Sequence, residues 1–237
     1  DLMSYIFRYE DEFKYTGYIR QSKDKFMPVL CVHLGAILYH VAQVLTERHI
    51  TIPSTIKFSG MGAKYIHIIS DNESDVQDIV KMLLSAFMES LSGDKCKMPR
   101  NFKVSFQNNA KEVTAQGAML LNHNSLQNIR DYDKEPLCVF GIDKEIGDEL
   151  EYEDVPKYKN DVLKSYDKFL DAFVRDKKIT RFFKEEFGII FTDELVNKLE
   201  NEASQSFDLM SRNTNADYVS ETMFFWPLKN GLYAASK

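Results

Sequence analysis

The residues best suited to chemistry lie together in Ile56-Lys57-Phe58-Ser59-Gly60-Met61-Gly62-Ala63-Lys64-Tyr65-Ile66. A strand-forming run there meets two glycines one residue apart. Such spacing lets backbone N–H groups converge on an anion and lets a ligand approach the main chain. Lys64 supplies a point charge, Ser59 a hydroxyl, and a helix beginning beyond them would add a field that favours phosphate. Gly60 and Gly62 also suit an ordinary tight turn, and the local pattern leaves both readings open. The turn is not a Walker A loop, because GxxxxGK[ST] does not occur. Nor is it the dinucleotide fingerprint, since Tyr65 stands where the third glycine of GxGxxG belongs.

Other candidates carry less chemistry. Asp71 and Glu73 follow the turn and invite assignment to a metal, but as neighbours of Ser74 they read as solvated residues opening a helix. His33 and His40, seven residues apart on an apolar helix, read as interior or boundary residues. His49, His67 and His123 show no ligand spacing, and HExxH is absent. Cys31, Cys96 and Cys138 include no CxxC pair, so they read as small buried apolar residues in a reducing compartment. No GxSxG elbow occurs. Neither a catalytic residue nor a metal ligand is therefore assigned.

The whole composition narrows the function further. The 237 residues carry a formal charge of -6, with 44% hydrophobic and 28% charged residues. That mixture is neither disordered nor fibrous. A net negative chain gives nucleic acid no general reason to bind, because that affinity depends mainly on positive charge. Lys177 to Lys184 mixes basic and aromatic residues, but at helical periodicity it reads as a packing helix with charged flanks. The acidic stretch Glu145 to Asp154 reads as a solvated linker. No run of 18 apolar residues occurs, and Phe26 to Leu45, interrupted by His33, His40 and Gln43, reads as the buried helix of a soluble protein. No membrane partner is expected.

These residues must be positioned by an alternation of helix and strand. Residues 1–25 form a polar, aromatic-rich lead-in. Leu30, Leu34, Ile37, Leu38, Val41 and Leu45 predict a helix over Phe26–Arg48 with Pro28 in its first turn, and Gly35 and Ala36 would permit close approach of a neighbouring backbone. Thr55 to Phe58 predicts a strand running into the glycine turn. Residues 64–70 fit either helix or strand, and the closeness of Lys64 to Ile69 to the glycine turn favours one or two helical turns. Ser74 to Leu91 predicts a helix opened by a Ser74/Gln77 capping box, with Val76, Ile79, Val80, Leu83, Leu84, Phe87 and Met88 buried. Phe102, Val104 and Phe106 alternate as a half-buried strand. Ala110 to Leu121 predicts a helix, and Leu137 to Phe140 a strand.

Composition shifts beyond Gly141. Residues 142–161 hold eight acidic and three basic residues, and residues 164–184 hold seven basic and three acidic ones. Helices are predicted around Val162–Phe173 and Leu195–Met210, with the tail Phe224 to Leu228 packing on a core. The chain thus divides into the lead-in 1–25, an α/β segment 26–141 and a mostly helical segment 142–237.

The order of elements carries more than the glycines do. A long helix, a strand into Gly60-Met61-Gly62, a helix, a strand at Phe102–Phe106 and then Asn109 to Met119, with its Gly117-Ala118 pair, resembles the second lobe of the actin/Hsp70-like ATPase superfamily. The resemblance covers roughly residues 26–122. It implies a partial ribonuclease H-like α/β lobe with a mostly helical C-terminal addition. It further implies that Ser59, Gly60, Gly62 and Lys64 approach the adenosine and phosphates of ATP or ADP, with Mg in the full-length protein, while Gly117 and Ala118 pack a helix on the sheet. Met61 and Ala63 depart from the Gly-Gly-Ser-Ser-Arg pattern of the chaperone branch, and Lys64 takes the place of its basic residue. The Asp- and Gly-rich phosphate loops of the family do not occur here. The resemblance therefore implies a cytoplasmic C-terminal fragment, begun by Asp1, whose partner is the missing N-terminal lobe or another protein. It does not hydrolyse ATP alone. The alternative is a non-catalytic structural or protein-interaction module that keeps the lobe fold.

Overall fold

A helix with apolar residues on nearly every face must be covered from several sides, and the first helix shows how this chain does it. In the computed structural model, which describes residues 17–47, 49–59, 65–70, 72–93, 97–106, 152–213 and 223–237, α1 spans Gly17–Glu47. It starts inside the expected lead-in, so Pro28 lies within the helix and not in its first turn. The helix continues past the missing proline N–H, and Met27, Val29, Cys31 and Val32 around it are buried in the core. His49 closes the helix in the left-handed conformation (φ 53°), and Ile50 N–H donates to the Leu45 carbonyl at 2.8 Å. By length and composition, Phe26–Glu47 is apolar enough to cross a bilayer, yet 56% of that window is buried within the protein.

The short strand β1 (Thr55–Phe58) follows, then the helical turn α2 (Ile66–Ile69) and α3 (Glu73–Ser92). Of the two conformations open to residues 64–70, the turn at 66–69 is the helical one, and the stripe from Val76 to Phe87 stands where periodicity predicts it, with Met88 half-buried at its end. The cap of α3 differs from expectation. Asn72 holds that position, and its side chain accepts from Ser74 N–H at 2.9 Å. Gln77 reaches to the sheet instead, where its Oε1 accepts from the Val104 N–H at 3.3 Å. Gly93 ends α3 at φ 75°, a conformation that glycine adopts without penalty.

Strand β2 (Lys103–Phe106) lies parallel to β1, in the register Thr55↔Lys103 through Phe58↔Phe106. Lys103 N–H bonds back to the Ser54 carbonyl, whereas Val104 N–H points to the opposite edge, where Gln77 meets it. Among the described residues the sheet has these two strands, and the structure is otherwise α-rich. The α/β alternation is thus present up to residue 106. The predicted helix at 110–121 and strand at 137–140 lie outside the described residues, as does the boundary at 141.

Among the described residues four helices follow: α4 (Lys159–Ala172), α5 (Lys177–Phe187), α6 (Asp193–Asn213) and α7 (Leu228–Ala235). A 3-10 turn over Tyr152–Tyr158 precedes α4, and a second, Met223–Phe225, precedes α7. Asp176 caps α5 by accepting from Lys178 and Ile179 N–H, both at 2.8 Å. Its Ile179 and Phe183 are buried while Lys177, Arg181 and Lys184 face outward, as expected of a packing helix with charged flanks. Side chains from both halves of the sequence share one core: Leu38 and Tyr39 of α1, Phe87 of α3, Phe169 and Phe173 from the α4 end, Phe183 of α5 and Phe224 of the tail. A smaller cluster gathers Val155, Val162, Phe207, Met223 and Trp226.

Buried polar bridges join these helices, among them Tyr166 Oη donating to the Leu199 carbonyl at 3.3 Å between α4 and α6. Gln43 Nε2 donates to Ser165 Oγ at 2.9 Å, linking α1 to α4. Ser206 donates to the Trp226 carbonyl at 2.5 Å and accepts from Asn230 N–H at 3.1 Å, which fixes the tail on α6. At the surface, Arg175 pairs with Asp167, Asp171 and Glu200.

Candidate functional site

Parallel pairing puts the carboxyl ends of both strands on the same edge, which is where ligands of open α/β sheets bind. At this edge Phe58 and Phe106 face each other in register. Their rings lie 5.5 Å apart and nearly parallel, at 17°. His67, brought back by α2, sets its ring 4.4 Å from that of Phe106, tilted at 47°. All three side chains are half-buried. Ile66 and Ile69 anchor α2 in the core, so His67 is left at its margin.

The chain just before α2 is tied to α1. Tyr65 is 7% exposed and packs against His33, with ring centroids 5.2 Å apart. Its hydroxyl has no hydrogen-bond partner among the described residues, and burial, reinforced by nearby Cys31, pushes its pKa above the ordinary phenol range. The Cys31 thiol is also pushed up by burial, which keeps it protonated and unreactive.

The residues expected to form the nucleotide loop fall on both sides of what is described. Ser59 follows β1 directly and is exposed. Gly60, Gly62 and Lys64 lie outside the described residues, as do Gly117, Ala118 and Asp71. Glu73 is the exposed first residue of α3, the place expected of a solvated helix-opening carboxylate.

The histidine pair of α1 is not brought together on a ligand. His33 meets Tyr65, while His40 lies against Phe224 and Phe225, with ring centroids 6.0 and 5.4 Å away. Desolvation lowers both imidazole pKa values, that of His40 to about 4. Both therefore fill the boundary role predicted for them. Among the described residues, no group of three or more His, Cys, Asp or Glu is arranged to hold a metal ion.

Sequence reasoning misses His67 and Phe106 as neighbours. Metal-ligand spacing dismisses the first, and strand alternation accounts for the second without a partner. Only the return of α2 over the parallel pair reveals the contact. The signal in the sequence is an aromatic at the last position of both strands, Phe58 and Phe106, beside a histidine just beyond a glycine turn. Chemically, this edge offers planar rings for stacking next to an exposed hydroxyl. No protein-family model, curated protein or solved structure matches this chain.

Proposed function

We propose that this chain is the C-terminal part of an actin/Hsp70-like nucleotide-binding protein. It contributes an adenosine-side glycine loop, Ser59, Gly60, Gly62 and Lys64, without hydrolysing ATP by itself. The observation that supports the reading is the β1–α2–α3–β2 unit with its parallel register, in which Phe58 and the exposed Ser59 stand at the carboxyl end of a strand. The long α1 lying on α3 supports the same order of elements. Phosphoryl transfer also needs metal-bridged oxygens and an oriented water. In this reading those groups, with Mg, belong to the other lobe, in the cytoplasm, and neither nucleic acid nor membrane is a partner.

A second reading is a non-catalytic structural or protein-interaction module that keeps the lobe fold. It draws support from the C-terminal helices, which pack into the same core as α1 and α3 and do not stand apart as an appendage. Titration of the uninterrupted protein with Mg-ATP, beside a Gly62→Val variant, separates the two. Saturable binding that the variant loses supports the first reading. Absence of binding by the wild type removes it and leaves the second.

A further inference from the structure

We draw no further inference here: the strongest candidate, the basic outward face of α5 where Lys177, Arg181 and Lys184 stand exposed on successive turns ahead of the exposed Ile190, is a solvated helix surface, and nothing in the structure shows what covers it.

Discussion

Gly35 of α1 faces the ring of Phe173 so closely that a β-carbon at position 35 would lie 2.8 Å from Phe173 Cε1. The expected beneficiary of the small residue was a neighbouring backbone; the actual one is an aromatic ring. That ring is packed against Phe87, Phe169, Phe183 and Phe191, with centroids 5.2 to 6.0 Å away, and has little room to retreat. Gly35→Ala should therefore destabilise the protein by about 1–2 kcal/mol, overpacking outweighing the gain of about 1 kcal/mol in helix propensity. Urea denaturation of Gly35→Ala, Phe173→Leu and the double variant checks this. A midpoint for Gly35→Ala equal to or above wild type would refute the argument.

His40 links stability to pH. Its folded pKa is lowered to about 4 by burial, against an unfolded value near 6.5. The unfolded chain binds the extra proton between these values, so stability is full above about pH 6.5 and falls as pH drops toward 4. With partial exposure discounted, the contribution is about 2 kcal/mol. Thermal unfolding between pH 4 and 7 should show a shallower slope in His40→Leu than in the wild type. Identical slopes would show that His40 contributes none of it.

Gln77 should matter at one amide. Gln77→Ala leaves the Val104 N–H, which it meets at 3.3 Å, without its side-chain acceptor. The expected global loss is about 1 kcal/mol. The sharper readout is hydrogen exchange, which should accelerate at Val104 more than at Lys103, whose N–H bonds to Ser54. Uniform acceleration across β2 would count against a local role.

Ser206 joins α6 to the tail through two bonds at its buried hydroxyl. Ser206→Ala should cost about 1–3 kcal/mol by leaving a buried carbonyl and an N–H unmet. Trp226 is the protein's single tryptophan and is 2% exposed, so its emission reports on this contact directly. A red shift below the unfolding transition is expected in the variant. An unchanged spectrum and midpoint would mean the tail holds without the hydroxyl.

The chain is most readable where periodicity and punctuation agree. The α3 stripe and Gly93, or Ile179, Phe183 and Gly188 of α5, mark element and end together, because burial on one face enforces the 3.6-residue spacing. Where chemistry is degenerate, position slips. Asn72 and Ser74 are both good caps, and only backbone conformation selects between them. The true start of α1 is hidden by Pro28, whose usual place is a first turn but which a well-covered helix can carry inside. At the candidate site, the strand pattern predicts the end of β1 at Phe58, with Ser59 exposed just beyond it. Phe106 and His67 belong to elements far apart along the chain, and their meeting depends on register, which local pattern does not encode.

The covering of α1 has a consequence for synthesis. Tyr39 packs against Phe87, but also against Phe169 and Phe224, and Gln43 finds its partner in Ser165, 122 residues later. A ribosome adding about 5–20 residues per second needs on the order of ten to thirty seconds between completing this helix and releasing the last of those partners. Throughout that interval the most apolar segment of the chain is complete and only partly sheltered. A nascent chain stalled before Phe224 would leave Tyr39 and His40 without the ring that stacks on both, making this helix the place where holding factors would be needed first.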